Sequence, residues 1–194
     1  MQRWPPGALV LVFGPVKEVA PSSGSGSAFL TESPISLVIN NKDSAQKDKE
    51  VPWLVGTTED EGCSLYAGLV LQDENMVNEI NLKWEETILR TLELDKYIVP
   101  EERGAAAEKI RQFYFGGDKK VGLETREAFT NLYSDGYFGY GARKSAIMTA
   151  SSKEEKKNQI YLYRYSHQGP ASLMNLFGFP LADVELKSMK KNDK

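Results

Sequence analysis

Two short apolar segments, separated by a long region of helical pattern, constrain the fold of this chain more than any other feature. The first segment is residues 51–56 (VPWLVG), and the second is residues 160–165 (IYLYRY). Both are rich in the β-branched and aromatic residues that favour strands. Parallel strands need a long crossover connection, which is usually helical. The pattern therefore predicts an α/β fold in which helical crossovers join the strands of one sheet.

A third strand is predicted at residues 8–13 (ALVLVF), where Gly14 and Pro15 would end it. Three strands make a thin sheet, and both faces of a parallel sheet must be covered. We therefore expect the chain to form one edge of a larger sheet. The sequence shows no internal repeat and no change of composition that would divide it into two domains.

The region between the two later strands is predicted to be helical, because its apolar residues recur every three or four positions. One helix is expected to follow Pro100, with Glu101 and Glu102 in its first turn, and to end at Gly116–Gly117. Another is expected to begin after Gly139 and Gly141. The residues expected to face the core are Leu65, Leu69, Val70, Trp84, Ile88, Leu89, Leu92, Ile110, Phe113, Tyr114, Phe129, Leu132, Tyr133, Tyr137, Ala142, Ala146, Ile147 and Ala150.

Composition excludes several classes of function. The chain carries 24 Lys and Arg against 27 Asp and Glu, a net charge of −3 with the two signs interspersed, so nucleic acid is not an expected partner. No apolar stretch has transmembrane length. Cys63 is the one cysteine, which excludes an internal disulfide and favours a small buried side chain. No cofactor or metal is predicted, and without a convincing signal peptide the expected location is cytoplasmic if the chain is made as written.

Six strings, in order and over most of the chain, resemble the type-B carboxylesterase and cholinesterase family, especially its insect members. They are FGPVKE (13–18), FLTESP (29–34), VPWLVGTTEDEG (51–62), FTNLYSDGYFGYG (129–141), IYLYRYS (160–166) and SLMNLFG (172–178). The resemblance implies that residues 1–178 are the C-terminal part of an α/β-hydrolase fold. Residues 179–194 are then a divergent, lysine-rich tail. The lineage is that of a carboxylic ester hydrolase, whose partner is a small-molecule carboxylic ester.

The resemblance also implies a role for Glu61, which stands in the string Asp60-Glu61-Gly62 directly after a predicted strand. In this family the glutamate of that string is the acid of a Ser-His-Glu triad. Its carboxylate would accept the imidazole N–H, fix the histidine tautomer and stabilise the imidazolium. Spacing alone favours a different role, in which Glu59, Asp60 and Glu61 cap a helix that starts near Gly62.

The other two members of the triad are missing from the sequence. No G-x-S-x-G elbow for a nucleophilic serine is present. His167 is the one histidine, and it lies at the end of the late strand, where the family places no catalytic residue. If residues 178–186 are aligned with the family's histidine string, Leu181 stands where the histidine should be. Alternatively, everything after Gly178 is unrelated sequence.

Either alignment leaves the chain without a general base, so we expect these residues alone to hydrolyse no ester. Two explanations fit. The sequence is a fragment of a complete esterase whose missing part lies upstream. Alternatively, it is a non-catalytic interaction module, as in the cholinesterase-like adhesion proteins that kept the fold and lost the triad.

Overall fold

The structure is a computed structural model, and it describes residues 17–19, 28–33, 36, 52–63, 67–117, 119–150 and 159–167. Two strands lie among these residues, β1 (Trp53–Thr58) and β2 (Ile160–Tyr165). They pair in parallel and in register along their whole lengths, beginning with Trp53 opposite Ile160. The α/β arrangement predicted from the sequence, with a helical crossover between parallel strands, is therefore confirmed for this pair. The strand predicted at residues 8–13 lies outside the described residues.

The sheet is less buried than the sequence suggests. Leu54 is 66% exposed, and Leu162 and Tyr163 of β2 are 53% and 48% exposed. The apolar segment around Trp53 does form a strand, but not the buried core strand that its composition indicates. Parallel sheets normally have both faces covered by helices, and the described helix that packs against both strands is the one at Tyr140–Ala150. This exposure fits the prediction that the chain forms one edge of a larger sheet.

Helices make up most of the connection between the strands. They are α1 (Gly68–Val70), α2 (Glu74–Leu82), α3 (Trp84–Thr91), α4 (Pro100–Phe115), α5 (Arg126–Tyr133) and α6 (Tyr140–Ala150), with a π-helix at Ser134–Gly139 and 3-10 turns at Leu94–Lys96 and Leu123–Thr125. The last of them, α6, packs against both strands. The helices α3, α4 and α5 pack on one another and enclose the core.

The boundaries of α4 confirm the capping signals read from the sequence. Pro100 occupies the first turn, where a missing N–H costs nothing, and Glu101 and Glu102 lie beside it. Gly116 ends the helix in the left-handed region, with φ of 70°. Its N–H donates to the carbonyl of Gln112 at 3.1 Å, so the last turn is closed by the residue best able to adopt that conformation.

Trp84 lies at the centre of the helical core. Its indole N–H donates to the carbonyl of Ala107 at 3.0 Å, and its ring meets that of Phe115 edge to face at 5.5 Å. The guanidinium of Arg111 lies over the same ring, 4.5 Å from its centroid. The buried core comprises Ala67, Val70, Leu71, Ile80, Trp84, Ile88, Leu89, Ala107, Phe115, Val121, Phe129, Leu132 and Tyr133. The stripes predicted on α3 and α5 are therefore confirmed.

Four of the described residues that were predicted to face the core are exposed. Phe113 is 79% exposed because Phe115, not Phe113, fills the space beside Trp84. Ile147 is 51% exposed because α6 turns the small side chain of Ala146 inward instead. Leu69 is 46% exposed, since α1 is a single turn and presents no helical stripe. Ala150 is also exposed, and Leu65 lies outside the described residues.

The helix expected after Gly139 and Gly141 is present as α6, which begins at Tyr140, but no interruption separates it from α5. The chain runs from α5 through the π-helix into α6 without leaving the helical path. The wider i to i+5 turn of the π-helix accommodates the glycine-containing string SDGYFG, which would otherwise end an α-helix. The ring of Tyr133, the last residue of α5, stacks on that of Tyr137 in the π-helix with centroids 5.7 Å apart, so aromatic packing supports the widened turn.

Candidate active site

The turn after β1 carries the acidic string that the sequence singles out. Glu61 is half-buried, and its Oε1 accepts a hydrogen bond from the backbone N–H of Thr58 at 2.8 Å. The carbonyl of Asp60 accepts from the N–H of Cys63 at 2.9 Å. The carboxylate of Glu61 is therefore turned back toward the end of the strand. This contact differs from the helix-capping role that spacing alone favours, because the N–H that it accepts from belongs to β1.

Gly62 joins this turn to the helical layer. Its N–H donates to Oγ of Ser134 at 2.8 Å, and that hydroxyl donates in turn to the carbonyl of Thr130 at 2.8 Å. A Cβ on Gly62 would lie 2.8 Å from the backbone nitrogen of Ser134 and 2.9 Å from Cβ of Tyr133, and closer still to the oxygen of Thr130. Only glycine fits this approach.

The sequence did not lead us to expect that Ser134 would contact the acidic turn. One signal was present, since a serine in the otherwise apolar and aromatic face of a predicted helix needs a hydrogen-bond partner if it is buried. Ser134 is 8% exposed. Nothing in the sequence indicates that the partner is a glycine of the distant acidic turn, because that pairing depends on how the helix packs against β1.

The carboxyl ends of the two strands are joined by backbone and side-chain contacts. The N–H of Glu59 donates to the carbonyl of Tyr165 at 2.9 Å, and the carboxylate of Glu59 lies 3.4 Å from the guanidinium of Arg164. Both side chains of this ion pair are largely exposed, so solvent weakens it. The backbone bond, rather than the ion pair, is the firmer link between the strand ends.

Asp60 is the acidic residue whose protonation the turn perturbs. Desolvation by the surrounding protein raises the pKa of Asp60, and the neighbouring carboxylate of Glu59 raises it further. The guanidinium groups of Arg164 and Arg126 act in the opposite direction. The raised pKa of Asp60 thus reflects its burial first and the neighbouring negative charge second.

The single cysteine is buried and the single histidine is exposed. Cys63 is buried, as predicted for a small apolar side chain, and a nitrogen of Arg126 lies 3.8 Å from its sulfur. His167 is exposed just beyond β2, with its ring 6.2 Å from that of Tyr165. Both agree with the sequence-based assignment. Leu181, the residue that could occupy the place of a catalytic histidine, lies outside the described residues.

A second polar contact lies farther along the π-helix. The hydroxyl of Tyr114 in α4 donates to Oδ2 of Asp135 at 2.8 Å. Burial raises the pKa of Tyr114, and the bond to the neighbouring carboxylate raises it further. This contact joins α4 to the π-helix one residue beyond Ser134, so it helps to hold the segment that contacts the acidic turn.

Two further classes of site find no support in the part of the chain that the structure describes. No group of three or more His, Cys, Asp or Glu side chains there is arranged to hold a metal ion. Within the same residues, none of the helices combines the length and the apolar character that crossing a membrane requires.

The parallel strand pair, its helical crossover and an acidic turn at the carboxyl end of a strand define an α/β protein. The sequence model of the carboxylesterase family matches residues 6–191. The chain belongs to the carboxylesterase family, whose members have an α/β-hydrolase fold. This confirms the family resemblance drawn from the six sequence strings.

Curated relatives from insects agree with this assignment. Esterase E4 of Myzus persicae is 32% identical over 168 residues, covering 85% of this chain and 27% of that protein. A carboxylic ester hydrolase of Bombus ignitus is 26% identical, covering 80% of this chain and 26% of that protein. Juvenile hormone esterase of Tribolium castaneum is 26% identical, and the match covers 66% of this chain and 21% of that protein. The chain thus spans about a quarter of the length of the relatives it matches.

Proposed function

We propose that this chain is the C-terminal part of a carboxylic ester hydrolase in which Glu61 is the acid of a Ser-His-Glu triad. The observation that carries the proposal is the position of Glu61, in a turn directly after a parallel strand and held there by the N–H of Thr58 at 2.8 Å. Ligands and catalytic groups of α/β proteins gather at the carboxyl ends of the strands. A triad acid needs a fixed place of this kind.

The proposed chemistry follows from the two oxygens of the carboxylate. Oε1 of Glu61 accepts from Thr58, and Oε2 would accept the N–H of the catalytic imidazole. That bond selects the histidine tautomer and stabilises the imidazolium formed when the histidine takes the proton of the attacking serine. The substrate class is a small-molecule carboxylic ester. The serine and the histidine would come from parts of the enzyme that the present sequence does not supply.

The proposed extent of the hydrolase part is residues 1–178, with residues 179–194 as a divergent, lysine-rich tail. The exposed apolar side chains of β1 and β2, such as Leu54 and Leu162, support the idea that further elements cover the faces of the sheet, and the small number of described strands supports the idea that further strands extend it. On this proposal the chain alone is inactive, because two of the three triad members are missing from it.

The first test compares this chain with a longer polypeptide that includes it. The transcript is sequenced in both directions for the in-frame sequence that supplies the serine and the histidine, and both proteins are purified and assayed on a short-chain nitrophenyl ester. We expect turnover from the longer polypeptide and none from the chain alone. A longer polypeptide without turnover would contradict the enzyme proposal and favour the non-catalytic interaction module. In that case the chain alone should be a compact monomer that melts cooperatively.

The role of Glu61 is tested in the same longer polypeptide. Glu61→Gln keeps the shape of the side chain and removes its charge, so we expect kcat to fall by about 10⁴-fold, the size of the effect of the equivalent change in a serine protease. Glu101→Gln, at an exposed position in the first turn of α4, is the matched control and should leave kcat unchanged. Full activity in the Glu61 variant would remove this residue from the triad.

A further inference from the structure

We infer that Ser134 is a positioning residue for Glu61, acting through the backbone of Gly62. This inference rests on the proposed function, because Glu61 matters to catalysis only if it is the triad acid. Ser134 touches neither a substrate nor the reacting atoms. Its hydroxyl instead binds the backbone N–H of Gly62, the residue that follows Glu61. It therefore fixes the backbone position from which the side chain of Glu61 extends.

The hydrogen bonds of Ser134 are complete and buried. Its Oγ accepts from the N–H of Gly62 and donates to the carbonyl of Thr130, both at 2.8 Å. A serine hydroxyl has a single proton to donate, so its direction is fixed by the carbonyl of Thr130, and a lone pair is then available to Gly62. The residue is 8% exposed, so water does not readily replace either partner. The bond therefore orients the peptide unit that joins Glu61 to Gly62.

The π-helix explains why a serine can serve this purpose here. Ser134 is the first residue of the π-helix Ser134–Gly139, where the regular backbone ladder is widened. Such segments often occur at functional sites. Because Gly62 has no Cβ, the acidic turn approaches so closely that its N–H reaches a side chain on the helix. The close approach and the hydrogen bond therefore depend on each other.

Glu61 is thus held from both sides. On one side, the N–H of Thr58 donates to its carboxylate at 2.8 Å. On the other, Ser134 holds Gly62, and the bond from Cys63 to the carbonyl of Asp60 at 2.9 Å closes the turn. Catalytic groups must be held within a fraction of an ångström of their working positions. Removal of the hydroxyl of Ser134 leaves the peptide after Glu61 without its partner on the helix.

The experiment uses the longer polypeptide that carries the complete triad, with Ser134→Ala, Ser134→Thr and Ser145→Ala. Ser145→Ala makes the same chemical change in the middle of α6 and is the control. Two quantities are measured, the hydrogen-exchange rate of the Gly62 amide and the separate values of kcat and KM. In Ser134→Ala we expect both a faster exchange at Gly62 and a lower kcat, each by about tenfold, because a buried N–H has lost its acceptor.

KM should stay unchanged in Ser134→Ala, since no contact with the substrate is removed. Ser134→Thr keeps a hydroxyl at the same place and should restore both quantities, whereas Ser145→Ala should alter neither. Faster exchange at Gly62 with unchanged kcat would overturn the inference, because the bond would then be purely structural. Unchanged exchange would overturn it as well. If the unmodified polypeptide has no activity, the proposed function fails first, and that outcome is distinct from an active enzyme that tolerates Ser134→Ala.

Discussion

The side-chain amide of Asn81 makes two hydrogen bonds with the backbone of Val121. It donates from Nδ2 to the carbonyl at 2.8 Å and accepts from the N–H at 2.9 Å. A neighbouring strand would make the same pair of bonds. Val121 is 3% exposed, so its polar groups would otherwise be buried without partners. One side chain at the end of α2 therefore fixes the connection between α4 and α5.

Replacement of Asn81 by Ala is expected to lower the free energy of unfolding by about 2 kcal/mol, because it leaves a buried donor and a buried acceptor unpaired. Urea-induced unfolding of the variant gives the value. Asn78→Ala, at an exposed position of the same helix, makes the same chemical change and should alter the free energy by less than about 0.5 kcal/mol. Equal losses in the two variants would show that the bonds to Val121 contribute little.

Replacement of Gly62 by Ala is expected to destabilise the protein by about 2–3 kcal/mol, because the new Cβ would overlap backbone atoms of α5 and the π-helix that cannot move away cheaply. Gly104→Ala is the control. It lies in α4, where a Cβ would meet nothing closer than an oxygen of Glu85 at 3.4 Å. There the change should stabilise by about 0.5–1 kcal/mol, since Ala favours a helix over Gly. Two thermal melts with shifts of the same sign would contradict the prediction.

Replacement of Asp60 by Asn is expected to change the pH dependence of stability. The pKa of Asp60 is raised above its ordinary value of 3.8, so the folded state binds this proton more tightly than the unfolded state does. The stability that protonated Asp60 contributes to the wild type is therefore lost as pH rises from about 4 through the raised pKa. The Asp60→Asn variant carries an uncharged amide at this position, so it has no charge to desolvate and escapes this loss.

Thermal melts of the two proteins in steps between about pH 3.5 and about pH 7, values chosen to bracket the ordinary pKa of an aspartate, measure this difference. The melting temperature of the variant should gain on that of the wild type as pH rises. Glu124→Gln, an exposed carboxylate in a 3-10 turn, serves as the control and should run parallel to the wild type. A variant that gains on the wild type as pH falls would reverse the sign and refute the assignment.

The helical part of the fold was predictable from the sequence because apolar residues that recur every three or four positions lie on one face of a helix. Trp84 and Ile88 are buried as their spacing predicts, and Pro100 and Gly116 bound α4 through backbone preferences that act locally. The failure at Phe113 has a different origin. Spacing places it and Phe115 on nearly opposite faces of the helix, and contact with Trp84 decides which of the two faces turns inward.

The candidate site was predictable only in part. The sequence draws attention to Glu61 through its family string, and no property of the residue itself distinguishes it from Glu59. Ser134 was missed because its partner, Gly62, is distant in sequence and is reached only through tertiary packing. Periodicity reports which face of an element is apolar, and it does not report which distant backbone group a polar side chain will meet.

The pairing of β1 with β2 also determines the order in which this chain can assemble. Trp53 faces Ile160, so the strands meet only by closing a loop that contains all of the described helices. The entropy of closing so long a loop is lost before the strand bonds form, whereas α3, α4 and α5 meet over much shorter separations. During synthesis β1 leaves the ribosome long before its neighbour exists. The edge of β1 that pairs with β2 therefore remains without this partner until translation has passed Tyr165, and in this interval its unpaired backbone groups are open to pairing with another chain.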